Sequence, residues 1–207
     1  MLKEQIEKHI PTVMLMCIQT RYLKNNYLSE RRNLMQENNK IRLAAILPES
    51  LVNGAGIRRV LFAQGCPHNC QGCFSPHTHS YTDGTLINMD EIIEDIRKNP
   101  MLRGVTFSGG EPWEQADKFA YIAKEIKKFG LNVWCYTGYT LEYILKHKNE
   151  RKGWDELLQY VDVLVDGKFE DSKKSSELKF RGSSNQRIID IKSSLELMEA
   201  VAVDLYK

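Results

Sequence analysis

Three cysteines, Cys66, Cys70 and Cys73, fall within the eight residues Cys66-Pro67-His68-Asn69-Cys70-Gln71-Gly72-Cys73. Thiolates at this C-x3-C-x2-C spacing can hold three corners of a cubane iron-sulfur cluster, whose usual complement is four cysteines, so one iron would lack a protein ligand. An iron left open is a place to bind substrate, by the logic that separates catalytic from structural zinc sites. A zinc loop stays open as an alternative, because His68, His77 and His79 could complete a Cys3His set. Downstream, Ser108-Gly109-Gly110-Glu111-Pro112 carries two glycines that let backbone approach a ligand and a carboxylate that could pair with an ammonium group. The same residues also make a serviceable strand-to-helix turn. Asp166-Gly167-Lys168 is a turn dipeptide followed by a cation, and Arg181 to Gln186 is rich in turn formers. Cys17 and Cys135 read as ordinary thiols, Cys135 lying in a strand between Trp134 and Tyr136.

These segments need elements to position them. Short β-branched and aromatic runs near 41–46, 58–64, 104–107, 132–137, 161–166 and 187–191 predict about six strands. Between them, 90–98, 114–129, 140–148 and 154–160 carry helical patterns, the clearest having Phe119, Ile122, Ala123 and Ile126 on one face and Gly130 at its end. Alternation of this kind implies right-handed crossovers. The fold class expected is α/β, an incomplete β/α barrel with a mainly parallel sheet. In such sheets the loops leaving the strands' C-terminal ends share one edge. The cysteine loop, the Gly109-Gly110-Glu111 turn, Tyr136-Thr137-Gly138 and Asp166-Gly167-Lys168 all follow strands and therefore converge.

Composition narrows the setting. A chain of 207 residues, 42% hydrophobic and 27% charged, suits a soluble globular domain, and a net charge of only +2 offers no general field for nucleic acid or an anionic membrane. Val13 to Ile18 is too short an apolar run to span a membrane. Acidic residues ahead of it do not suit a secretory leader. Five cysteines with three clustered fit a metal site in a reducing compartment, so the cytoplasm is expected. No glycine precedes Gly54, and the first forty residues carry seven basic against four acidic side chains. Residues 1–40 therefore read as an N-terminal extension of unassigned role, with the folded domain at 41–207.

The three cysteines followed by Gly-Gly-Glu resemble the S-adenosylmethionine radical enzymes. Within them the chain is similar to the activating proteins of glycyl radical enzymes, through Val52-Asn53-Gly54-Ala55-Gly56-Ile57-Arg58, Tyr136-Thr137-Gly138-Tyr139-Thr140, Val163 to Phe169 and Arg181 to Gln186. The resemblance covers about 41–192. Phe74 stands where many members carry Tyr, Trp or His.

The resemblance implies that Cys66, Cys70 and Cys73 hold a 4Fe-4S cluster whose fourth iron takes the amino and carboxylate groups of S-adenosyl-L-methionine. Gly72, Cys73 and Phe74 would lie along the adenosyl group, and Gly109, Gly110 and Glu111 would receive the methionine end. Thr137 and Asp166 would complete the cofactor site, with Lys168 facing the cofactor's carboxylate. It further implies reductive cleavage to a 5′-deoxyadenosyl radical. The partner implied is an anaerobic ribonucleoside-triphosphate reductase that receives a glycyl radical, with a reduced flavodoxin- or ferredoxin-type donor. Two alternatives stand beside this: a relative acting on a small molecule or on another partner such as pyruvate formate-lyase, and a non-catalytic zinc or iron-sulfur module.

Overall fold

The computed structural model describes Leu23 and residues 39–203. The expected extension over residues 1–40, with Cys17, lies outside the described residues except for Leu23, Asn39 and Lys40. In chain order the elements are β1 (Lys40–Ser50), β2 (Arg58–Ala63), β3 (Thr85–Asn88), α1 (Met89–Arg97), β4 (Gly104–Gly109), α2 (Ala116–Lys127), β5 (Asn132–Tyr136), α3 (Leu141–His147), α4 (Trp154–Tyr160), β6 (Val163–Asp166), β7 (Arg187–Asp190) and α5 (Ile191–Leu197).

The strands form one open sheet in the order β3-β1-β2-β4-β5-β6-β7. The α/β class is as expected. The sheet is mixed, however, where a mainly parallel one was predicted, and it has seven strands where about six were. Parallel pairing is confined to β2–β4, β4–β5 and β5–β6; β1–β2, β1–β3 and β6–β7 are antiparallel. For β1 and β2 the cause is the length of chain between the strands. Only residues 51–57 separate β1 from β2, too few for a crossover, so the chain can only turn back. β3 escaped the sequence reading because it is a short, half-exposed edge strand.

Strand alternation gives the sheet two different faces. Val105 and Phe107 of β4, Val133 and Cys135 of β5 and Leu164 of β6 point into a core shared with Ile92 and Ile96 of α1, Phe119, Ile122 and Ile126 of α2 and Leu157 of α4, all buried. Their neighbours along the strands, Trp134, Val165 and Ile188, form a second, smaller cluster with Ala55, Tyr136 and Phe180. The first face is closed by helices. The second is lined by the segments that join the strands, and a cleft opens there.

Helix ends are set by short-range chemistry. The side chain of Asn88 accepts the Asp90 amide at 2.8 Å to start α1, and that of Asp190 accepts the Ser193 amide at 2.7 Å to start α5. The helix expected over 114–129 begins as a single tight turn, Pro112–Gln115, before becoming α2. Beside it, Trp154 packs edge-on against Trp113, with its indole N–H donating to the Trp113 carbonyl at 2.8 Å. Both rings are buried. Trp154→Phe removes this donor and leaves a small void, so urea unfolding is expected to show a loss of about 2–3 kcal/mol, with iron binding by the reconstituted protein unchanged.

Candidate functional site

The cysteine loop is a hoop closed at its neck by two backbone hydrogen bonds, Gly65 N–H to Thr78 O at 2.8 Å and Cys66 N–H to His79 O at 3.2 Å. Cys66, Cys70 and Cys73 are half-buried, unpaired by any disulfide, and line one cleft of about 590 Å³. The Cys73 sulfur accepts the Ser75 N–H at 3.4 Å, and the backbone amides of His68 and Phe169 lower the pKa of Cys66 and Cys70. Burial pushes the Cys66 thiol up to about 11, and burial likewise raises Cys70, with the nearby Lys168 opposing. In the metal-free chain these two groups are therefore thiols at neutral pH, and ligation must displace their protons.

The donor set fits a multi-iron cluster. N–H···S bonds are the interactions that stabilise and tune cluster sulfurs. Cys135 faces the opposite, helix-covered side of the sheet and is fully buried, so it supplies no fourth ligand.

The cleft floor comes from the sheet ends. Gly110 N–H donates to Ala63 O and Glu111 N–H to Gly65 O, both at 2.8 Å, which runs the Gly-Gly-Glu turn alongside the start of the cysteine hoop. Gly109 adopts a φ of 95°, in the left-handed region that favours glycine. A Cβ on Gly110 would strike the Gly65 carbonyl. The turn therefore presents bare backbone to the cleft. Phe62, Ser108, Tyr136, Thr137 and Gly138 complete the floor, and segments 51–53 and 178–182 form two walls.

The structure brings Cys66, Cys70, Cys73, Phe74, Gly109, Gly110 and Thr137 together around this space. It places the other predicted site residues differently. Glu111 lies beneath the floor, fully buried, and its carboxylate is already occupied: it accepts from Trp113 N–H (3.1 Å), Thr137 Oγ1 (2.9 Å), Gly138 N–H (2.9 Å) and His68 Nε2 (2.7 Å). The free carboxylate pictured from the sequence as an ammonium partner is, in this geometry, a hub for protein donors. Asp166, also buried, accepts the Leu141 amide at 2.8 Å and pairs with Arg187. Gly72 and Lys168 are exposed and outside the lining. Phe74, on the rim, packs against Phe169 at 4.8 Å between ring centres, with the Lys174 ammonium over its ring.

The sequence named His68 only as a possible zinc ligand; the structure sets it against Glu111 instead. Its side chain is only 7% exposed. The one signal in the sequence was its place between two ligand cysteines. Segment 181–186 contributes a latch: Gln186 accepts the Gly182 amide at 2.8 Å and donates to Gly167 O at 3.0 Å, tying the 178–182 wall to the end of β6.

An open α/β sheet with three thiols beside a bare-backbone floor defines a protein built around one iron-sulfur cluster, and residues 52–189 match the family described as a 4Fe-4S single cluster domain. The chain is 35% identical over 150 residues to the anaerobic ribonucleoside-triphosphate reductase-activating protein of Pasteurella multocida, covering 68% of this chain and 92% of the relative. It is 37% identical over 149 residues to the protein of that name from Vibrio cholerae, with the same coverage, and 35% over 150 residues to that of Enterobacteria phage T4, covering 69% and 90%. The chain belongs to the family of anaerobic ribonucleoside-triphosphate reductase-activating proteins.

Two outcomes follow from this geometry. Cys66→Ala, Cys70→Ala or Cys73→Ala should each abolish retention of iron after anaerobic reconstitution, whereas Cys135→Ala should keep full iron and lose only about 1 kcal/mol of stability; iron analysis and urea titration read the two.

The second concerns Arg187, which donates to Glu142 at 2.9 and 2.8 Å as well as to Asp166. Hydrogen bonding to this guanidinium holds the Glu142 carboxyl at about 2, below the unfolded value of about 4.3. A depressed folded value stabilises above the unfolded pKa, and that contribution disappears as pH falls from about 4 towards 2. The urea midpoints of the wild type and Glu142→Gln should therefore differ at pH 5, and that difference should shrink as pH falls towards 2.

Proposed function

We propose that this protein is the activase of an anaerobic ribonucleoside-triphosphate reductase, cleaving S-adenosylmethionine reductively and installing a glycyl radical on that partner. The observation that carries the reading is the set of three thiols, paired in no disulfide, on the wall of a cleft floored by Gly109 and Gly110. When bound, the reduced 4Fe-4S cluster supplies the one electron that breaks the C5′–S bond of S-adenosylmethionine, giving methionine and a 5′-deoxyadenosyl radical that takes a hydrogen atom from glycine.

The chain's own residues bind and orient. Cys66, Cys70 and Cys73 hold the cluster and leave one iron for the cofactor's amino and carboxylate groups. Gly109 and Gly110 seat the methionyl end against bare backbone, and Glu111 serves that seat from below by fixing Thr137, Gly138 and His68. Gly72 and the Phe74–Phe169 pair flank the adenosyl side. Lys168 provides the cation for the cofactor's carboxylate, and Asp166 fixes the strand end from which it projects. The open cleft admits a loop of a large protein, and docking supplies the near-attack geometry that so reactive a species requires. A partial-barrel curl of the sheet, whose terminal strands β3 and β7 do not pair with each other, fits that lateral access.

A reduced flavodoxin- or ferredoxin-type protein is the electron source in this reading. The cytoplasm is the compartment, supported by three thiols that are ligands and form no disulfides. Among the described residues no helix is long and apolar enough to cross a membrane. Residues 41–207 are the working domain, and 1–40 an addition to it.

Electron paramagnetic resonance on the reduced protein mixed with S-adenosylmethionine and the reductase of the same source should show a glycyl signal, with stoichiometric methionine and 5′-deoxyadenosine. A chain beginning at Asn39 should still cleave the cofactor. A signal on pyruvate formate-lyase alone would reassign the partner, and products with neither protein radicalised would mean another substrate.

A further inference from the structure

His68 joins two parts of the site that come from different strands. It sits in the cysteine loop after β2, between exposed Pro67 and exposed Asn69, yet its own side chain is turned inward. Its backbone lies two residues beyond Cys66 in the loop. Its Nε2 meets Glu111 Oε2 at 2.7 Å, beneath the Gly109-Gly110 floor. The ring lies edge-on to Tyr139, with centres 4.5 Å apart, and passes so close to Gly138 that a Cβ there would strike it. One residue placed between two of the clustered cysteines thus grips the floor's buried carboxylate through its side chain.

We infer that His68 is a positioning residue that sets the distance and angle between the iron-bearing loop and the methionyl seat. This rests on the proposed function. The physical ground is that Glu111 is fully buried, so every donor it receives is strongly held, and a bond to such an anion is among the most directional in a protein. Three other donors come from the turn after β4 and the loop after β5. His68 alone among the four comes from the cysteine loop. Without it, the loop is tied to the rest of the site through its neck and the Phe169 contact to Cys70, and the ligand-bearing crown can shift relative to the floor. Misplacement of about 1 Å is enough to cost roughly a hundredfold where two groups must meet in one geometry.

The role predicts a separation between holding iron and receiving the cofactor. Wild type, His68→Leu and His68→Gln are reconstituted anaerobically as full chains, reduced, and titrated with S-adenosylmethionine while iron content and the electron paramagnetic resonance spectrum are recorded. Gln places an amide N–H near the position of Nε2. Iron content should be equal in all three. The spectral change on cofactor binding should need at least about tenfold more S-adenosylmethionine in His68→Leu, as expected for one lost charge-assisted contact, and stay within about threefold of wild type in His68→Gln.

Wild-type-like titration of His68→Leu would overturn the inference. So would loss of iron in both variants, which would make His68 part of metal retention, or a Gln variant as impaired as Leu, which would make the ring's packing the cause. A wild-type spectrum indifferent to S-adenosylmethionine would bring down the proposed function itself, and this inference with it.

Discussion

The site depends on one buried anion. A carboxylate removed from water must be repaid in hydrogen bonds, and the Glu111 carboxylate, fully buried under the cleft floor, has no solvent to turn to. Its donors arrive from three places: Trp113 N–H in its own turn, Thr137 and Gly138 after β5, and His68 in the cysteine hoop. Three loops that have no covalent reason to lie together are thereby pinned to a common point. The thiols, the bare glycine backbone and the β5 terminus keep their relative places because releasing any one of them leaves that charge short of a partner.

The sheet makes such an arrangement possible by dividing its labour between faces. Alternate residues of β4, β5 and β6 enter the helix-covered core, where Phe107, Cys135 and Leu164 are completely buried. The intervening residues meet only loops, and that thinner covering leaves room for the cleft. Arg58 shows how firmly the thinner side is still anchored. At the start of β2 its fully buried guanidinium donates to Thr106 Oγ1 at 2.7 Å, to Asn132 Oδ1 at 2.6 Å and to the carbonyls of Ala55 and Val105 at 3.1 and 2.7 Å. It fastens segment 51–57, one wall of the cleft, to the central strands.

Much of this was legible in the residues themselves. Ligand spacing survives any fold, so Cys66, Cys70 and Cys73 could be picked out as a candidate metal loop, and β-branched runs located every strand but β3. Relative direction was not legible from the runs, although the short link between β1 and β2 already forbade a parallel pair. Glu111 could be singled out by its neighbours, but whether a carboxylate faces ligand or protein depends on donors from distant loops. His68 failed for the same reason: its partner lies 43 residues away, and nothing local distinguishes an imidazole turned inward from one left in water. Asp166 was picked for its place after a strand, and its ties to Leu141 and Arg187 are likewise long-range.

The closed neck of the cysteine hoop bears on the order in which the protein matures. Its two backbone bonds, together with the amides that run the Gly-Gly-Glu turn beside it, require no metal. The entropy of gathering the three sulfurs is therefore met largely by folding, in contrast to small zinc modules that are unfolded until their ion arrives. The exposed crown at Pro67, Asn69 and Gln71 turns outward, so whatever delivers iron and sulfide would meet the loop there.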